Sequence, residues 1–262
     1  RIIQVLRSRG HVVGYLGDGI NDAPSLRAAD VGISVNNATD VAKESADIIL
    51  MEKSLKQLID GVVEGRRTFA NTSKYITMAI SSNFGNMFSM TGASLFLPFL
   101  PMTAVQLLLN NILYESSQFA LTVDTVDDEI LNRPRPWDIN FIKKFMYVFG
   151  SISSVFDFLT FYVLYKIFSL TESAFQTGWF IQSFATQILV IFVIRSHKSI
   201  FKSIAPNPIV TCVSLAAVAI AWGIALSKVG LLFGFTPIPF MYVGMIVLIV
   251  VAYLITVEIA KK

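Results

Sequence analysis

The sequence is poor in cysteine, histidine and charge. Its 262 residues hold one cysteine and two histidines, and its 21 basic and 18 acidic side chains make up only 15% of the chain. A lone cysteine forms no internal disulfide, which removes the small secreted scaffolds held by cystine bridges. Cys212 lies in an apolar stretch, where a buried packing role is expected. Repeats and low-complexity tracts are absent, and collagen and disorder are excluded with them. The net charge of +3 gives no case for nucleic acid, because the basic residues gather beside apolar runs, where a membrane accounts for them.

What is present in quantity is apolar. Residues of that kind make up 54% of the chain and the mean hydropathy is +0.62, more than an ordinary soluble domain carries. Charge is unevenly placed: 19 of the charged residues fall in 1–74, and the remaining 20 are spread over 188 positions. Two solvents are implied, water for the first quarter and lipid for the rest. The chain starts at Arg1 with an amphipathic pattern already under way, which predicts that it begins inside a larger protein.

In the first quarter, 2–9 reads as a helix stopped by Gly10, and 11–16 (HVVGYL) as a strand leading into Gly17-Asp18-Gly19. Two further β-branched runs, 31–35 and 47–51, follow helical stretches. The alternation predicts an α/β unit with a parallel sheet, whose chemistry belongs where strands end. Asp18 and Asp22 stand there, and two carboxylates on a glycine-bearing loop suit Mg²⁺, which is held by one or two carboxylates plus phosphate and water. The alternative is a tight turn in which Asp22 caps the helix at Pro24.

The string Gly17-Asp18-Gly19-Ile20-Asn21-Asp22-Ala23-Pro24, continued by Leu26, Ala28, Ala29-Asp30 and Val31-Gly32-Ile33, closely resembles the hinge-side signature of P-type ATPases, pumps that pass through a phosphorylated aspartate. The resemblance implies that 1–53 is the carboxyl-terminal part of a HAD-like, Rossmannoid phosphorylation domain. In it Asp18 and Asp22 would serve the cytoplasmic Mg²⁺, Asn21 and Asp22 would keep the phosphate site in order, and Gly17 and Gly19 would let the backbone approach. A phosphoryl transition state needs a divalent cation on a fixed carboxylate. The Asp-Lys-Thr-Gly string that carries the phosphorylated aspartate in these pumps does not occur in this sequence. The chain by itself is therefore expected to be inactive, with ATP handled by an upstream half of the pump.

Six weakly charged stretches, at about 75–97, 103–123, 145–166, 178–195, 208–227 and 239–258, are each long enough to cross a bilayer. The fold expected is a six-span helical membrane bundle preceded by the partial α/β domain and a stalk helix over 54–74. Arg133, Arg135, Lys143, Lys144, Lys198, Lys202, Lys261 and Lys262 lie on one side, against Lys166 and Lys228 on the other. The positive-inside bias predicts a multi-pass protein, in a bacterial plasma membrane, with the N-terminal region and the C-terminus cytoplasmic. Trp137 and Trp179 read as interfacial anchors, and 124–144 as a solvated connector or a cytoplasmic contact.

Spans one and two are unusually polar. Asn83 and Asn86 share one helical face, Asn111 and Glu115 another, and a carboxylate within a span marks a transport site by default. Glu115 leads the candidates for a transported-cation ligand, with Asn83, Asn86 and Asn111 beside it. Asp157 in span three is either a second ion group or a partner of a polar neighbour, while Gln182 and Gln187 read as helix glue. The runs Ser81-Ser82-Asn83-Phe84-Gly85-Asn86 and Asn110-Asn111-Ile112-Leu113-Tyr114-Glu115, with Asp124-Thr125-Val126-Asp127-Asp128-Glu129 and Gly178-Trp179-Phe180, are most similar to the bacterial magnesium-translocating branch. Glu115 stands where that branch implies aspartate. The oxygen-only donor set agrees with magnesium, though sodium, potassium, calcium and protons remain compatible. Competing readings are a passive carrier, an assembly partner or a remnant using the α/β unit as scaffold, and a membrane-tethered phosphatase, for which no nucleophilic aspartate precedes Asp18.

Overall fold

The computed structural model describes residues 1–52, 54–132, 136–196, 200 and 203–261. Lys53, Arg133, Pro134, Arg135, Lys198, Lys202 and Lys262, on which several expectations above rest, lie outside the described residues. The chain forms two compact units, Arg1–Gly65 and Arg66–Lys262.

The first unit runs α1 (Ile2–Ser8), β1 (Gly14–Leu16), α2 (Ala23–Ala28), β2 (Val31–Val35), α3 (Asp40–Ser45) and β3 (Ile48–Leu50). The strands form a parallel sheet in the order β1-β2-β3, with Tyr15 opposite Gly32 and Ser34 opposite Ile49. Gly10 ends α1 at φ +82°, a left-handed conformation that favours glycine. Strand β1 is shorter than the apolar run suggests, because side-chain chemistry takes over ahead of Gly14. Val13 donates its N–H to the Asp30 carboxylate, and its carbonyl accepts from Asp30 and Val31. The core is Leu26, Val35, Ala38 and Ala42, with Tyr15, Ala46 and Leu50 against it. Gly32 is obligatory in this packing, since a Cβ there would lie 2.8 Å from the Leu26 carbonyl oxygen. The α3 turn is fixed by Thr39, whose hydroxyl accepts from the Ala42 N–H.

Helix α4 (Leu55–Ala93) is unbroken over 39 residues. It is followed by α5 (Ala104–Gln118), a 3₁₀ segment Phe119–Val123, α6 (Asp128–Leu131), α7 (Ile139–Tyr162), a π turn Val163–Ile167, α8 (Glu172–Leu189), α9 (Ile191–Ile194), α10 (Pro208–Leu226) and α11 (Phe240–Ala260). Among the described residues, four helical stretches are long and apolar enough to cross a membrane: Ile139–Ile167, Glu172–Ile194, Pro208–Leu226 and Phe240–Ala260. Helix α8 is the axis of the second unit, buried continuously from Phe175 to Ile188. Its own Phe175, Trp179, Phe180 and Phe184 pack with Phe161 of α7 and with Phe235, the Phe161 ring edge-on to Trp179 at 5.0 Å. Helices α10 and α11 instead turn Leu215, Ile220, Leu248 and Ile255 outward, as helices facing hydrocarbon do.

Three side chains are placed differently from expectation. Trp179 is not an interfacial anchor: it is 1% exposed, because its N–H has a carboxylate to meet inside the bundle. Cys212 is exposed rather than buried, since the inner face of α10 is carried by Val210, Ser214, Ala217 and Ala221. The 124–144 segment does not start as a solvated connector. Asp124 and Asp127 are buried, Asp124 between Lys74 and Arg195, and Asp127 accepting from Ser196. Trp137, by contrast, is half-exposed and rests edge-on against Phe69.

Candidate functional site

In the first unit, the loop leaving β1 is organised by Asp22. Its Oδ1 accepts from the Tyr15 hydroxyl at 2.8 Å, and its Oδ2 from the backbone N–H groups of Gly19 at 2.9 Å and Asp18 at 3.1 Å. Asp22 precedes α2 but makes no side-chain cap to it. Its carboxylate reaches back over Gly17, where an added Cβ would lie 2.6 Å from the Asp22 Cβ. Hydrogen bonds from the Gly19 amide, the Tyr15 hydroxyl and the Asp18 amide outweigh desolvation and hold the Asp22 carboxyl below its ordinary range. The same bond pushes the Tyr15 hydroxyl up. The loop is closed from the sheet side by Ser34, whose hydroxyl donates to the Gly17 carbonyl at 2.9 Å, and by the Thr39 amide on the Asp18 carbonyl.

Asp22 thus shapes the loop, while Asp18 and Asn21 are exposed at the strand end. That donor set fits Mg²⁺, which takes a single carboxylate readily when water and phosphate complete its shell. Among the described residues, no three His, Cys, Asp or Glu side chains cluster as a metal site.

In the second unit, the polar residues of α4 and α5 divide between two faces. Asn86 turns inward, where its Oδ1 accepts from Ser183 Oγ at 3.3 Å and Gln187 Nε2 at 3.2 Å. Gln187 Oε1 accepts from Asn110 Nδ2 at 3.3 Å, so one glutamine of α8 ties α4 to α5. Glutamine as helix glue is therefore what Gln187 does. Asn83 and Glu115 are exposed and Asn111 is half-buried. Asn110 was visible in the sequence as a polar residue of span two, but only the fold distinguishes its fully buried position from that of its neighbour Asn111.

At one end of the same unit lies a buried charge cluster that the spacing of the sequence did not reveal. Arg195 grips Asp124 with two bonds, Nε to Oδ2 at 3.0 Å and Nη2 to Oδ1 at 3.1 Å. Lys74 adds 2.9 Å contacts to Asp124 Oδ2 and to the Thr125 carbonyl. Burial pushes the Asp124 carboxyl up, but the Arg195 bonds and the Lys74 charge outweigh it and hold it below the usual carboxylate range. The cluster joins α4, the turn after α5, the end of α9 and Asn207 ahead of α10. The one available signal was the charge at span ends, which names neither partner.

Residues 99–262 match the family described as "Cation transporting ATPase, C-terminus". The whole chain is 45% identical to a magnesium-transporting ATPase, P-type 1, of Salmonella typhimurium and 46% identical to that of Escherichia coli K12, covering 29% and 30% of those proteins. A calcium-transporting ATPase of Bacillus subtilis is 30% identical over 77% of the chain and 23% of its own length. The chain spans under a third of the length of these curated relatives.

Proposed function

The chain belongs to the cation-transporting P-type ATPases, and from that premise we propose that it forms the carboxyl-terminal transport bundle of an ATP-driven Mg²⁺ pump. The observation that carries the reading is the full-length similarity to magnesium-transporting relatives, on a chain whose Gly17 to Pro24 loop stands at a parallel-strand end. Residues 1–53 serve as the carboxyl-terminal part of a HAD-like phosphorylation domain, 54–74 as a stalk and 75–262 as the membrane domain. Asp18 would hold the cytoplasmic Mg²⁺, whose charge stabilises phosphoryl transfer when bound. Asp22, by clamping the amides of Asp18 and Gly19, keeps that carboxylate and Asn21 at the strand end. The phosphorylated aspartate and the ATP site belong to the remainder of the pump, and this chain alone forms no phosphoenzyme.

Six spans are part of this proposal. Residues 75–93 of α4 reach about 28 Å, and α5 with its 3₁₀ extension about 32 Å, against a hydrocarbon layer of about 30 Å. Their apolar content is diluted by the residues a cation would need. Asn83, Asn111 and Glu115 supply oxygen ligands to the transported ion, joined by Asn86 once its Oδ1 is released from Ser183 and Gln187, and the outward Asn83 and Glu115 fit a site completed by further helices of the pump. An outward carboxylate facing lipid would cost about 2.5–3.5 kcal/mol on insertion scales, whereas one facing another helix and a cation is compensated. Gln187 positions the Asn86 amide. Both termini of the bundle are cytoplasmic in this arrangement.

The test is transport by the complete pump in vesicles. Asp18→Asn is expected to abolish ATP turnover, and Glu115→Ala to remove Mg²⁺ uptake while expression is retained. Turnover unaffected by Asp18→Asn would make the α/β unit a scaffold, and unchanged uptake in Glu115→Ala would move the ion site elsewhere.

A further inference from the structure

Asp157 lies in the last quarter of α7, ahead of the π turn, and is 1% exposed. Its Oδ2 accepts from Ser89 Oγ of α4 at 2.6 Å, and its Oδ1 from Trp179 Nε1 of α8 at 3.1 Å. Among the described residues the ion pairs join Arg7 to Asp30, Lys74 and Arg195 to Asp124, and Lys261 to Glu258. None reaches Asp157. A carboxylate this deep without a cationic partner is costly as an anion. One turn along α8 from Trp179 stands Gln182, 0% exposed, whose amide is close enough to act on the Asp157 carboxyl but makes no hydrogen bond of good geometry with either atom.

A metal is poorly served here. Mg²⁺ demands about six oxygens in octahedral array, and one side of this carboxylate meets an indole N–H, which is a donor only. A proton is well served. With Asp157 protonated, the acid O–H has an acceptor in the unused Gln182 Oε1. With Asp157 ionised, the amide turns and Nε2 donates instead.

A small cavity lies one helical turn from Asp157. Of about 20 Å³, with room for about one water, it mixes the polar Ser81, Ser82, Tyr114, Ser153, Gln187 and Tyr253 with apolar Met78, Phe149, Val190 and Ile194, and Asp157 is not in its wall. Ser153 is one turn before Asp157 on α7, and Ser81 lies between Ser89 and Lys74 on α4, so the cavity sits on the side of Asp157 toward Lys74. Tyr114 Oη is buried there without a hydrogen-bond partner, as the wall of a water site would be. Of the described groups facing Asp157, the titratable one is the Tyr253 hydroxyl from α11. Helix α4 presents Ser89, and α8 presents Trp179 and Gln182.

We propose that Asp157 is a proton-binding site inside the bundle, with the small cavity one helical turn away as the nearest place for an exchanging water. On loading, a hydronium O–H bond breaks and an O–H bond forms on a carboxylate oxygen of Asp157, leaving neutral water; unloading reverses this, with no other bond made or broken.

The test is infrared spectroscopy of the purified chain in lipid nanodiscs across a pH series. A carbonyl band of a buried carboxylic acid is expected at mildly acidic pH, fading reversibly as pH rises through neutrality and missing from Asp157→Asn. Identical spectra for the two chains, or a band indifferent to pH while the protein stays folded, would overturn the proposal. Loss of the band on adding Mg²⁺ at fixed pH would also overturn it, in favour of a metal. Should Asp157→Asn fail to fold, Gln182→Leu keeps the acid and removes its amide. Its midpoint is expected to rise by about one pH unit, tenfold in proton affinity, because a charged acceptor loses more than a neutral one when a donor goes. An unmoved midpoint contradicts the proposal. These readouts need neither ATP nor a transported ion, so they stand or fall apart from the pump reading.

Discussion

Aspartate does opposite things in the two units. In the α/β unit Asp22, Asp30 and Asp47 stand at strand ends, where their carboxylates accept backbone N–H groups from Gly19, Val13 and Gly32. Water compensates whatever these bonds leave over, so each aspartate is a local clamp. In the helical unit Asp124 and Asp157 are each 1% exposed and must be neutralised by what surrounds them. Asp124 has Arg195 and Lys74, and Asp157 has only neutral donors. The difference teaches that a carboxylate's role follows from whether anything else can compensate its charge.

The sharpest way to break this comparison is to remove a compensating charge from the helical unit. Arg195→Ala leaves Asp124 buried with Lys74 alone and is expected to destabilise the unit by about 3–5 kcal/mol, the cost of orphaning one partner of a buried pair. Arg195→Lys keeps the charge but loses the two-bond grip, and should recover only part of the loss. Thermal unfolding in lipid nanodiscs measures both. A change below about 1 kcal/mol for Arg195→Ala would place Asp124 with the water-compensated aspartates.

The sequence was informative where local rules decide. Strand β2 lies at 31–35 as its β-branched pattern requires, and Gly10 stops α1 through a positive φ. The Gly17 to Pro24 loop emerges at a strand end, as the α/β alternation implies. Long-range pairing was beyond reach. Nothing in the spacing of Lys74, Asp124 and Arg195 tells that they meet, and Trp179 carries the amphipathic signature of an interface residue while serving as a donor in the core. Helical periodicity put Asn83 and Asn86 on a shared face, yet one is exposed and the other bonded to α8. Residues three apart stand about 60° from each other around the helix axis, so the face they share is broad enough to be split by a neighbouring helix.

A smaller and purely local effect is expected in the α/β unit on acidification. Asp22 has its folded-state pKa depressed, so its contribution is present above the unfolded value of about 3.9 and is lost as pH falls from there through the lower folded value. The amides of Asp18 and Gly19 should then exchange with solvent faster, together, while amides of β2 stay protected. In Asp22→Asn the side chain no longer titrates, and the acid-dependent step should vanish. Amide hydrogen exchange followed residue by residue decides it. Exchange at Asp18 and Gly19 that ignores pH below the carboxylate range would mean that Asp22 does not hold the loop.

The smallest effect belongs to the pair that most resembles the buried one in chemistry. Arg7 Nη2 meets Asp30 Oδ1 at 2.9 Å, with the two side chains 48% and 28% exposed, and Arg7 also donates to the Ala28 carbonyl. Water already solvates both charges, and ordering a long side chain offsets most of the attraction. Arg7→Ala is therefore expected to cost less than about 1 kcal/mol, and added salt should shrink even that, since exposed pairs are screened while buried ones are not. Urea unfolding of the α/β unit, with and without salt, reads both quantities. A loss as large as that of Arg195→Ala would show that solvent exposure does not separate the aspartates of the two units.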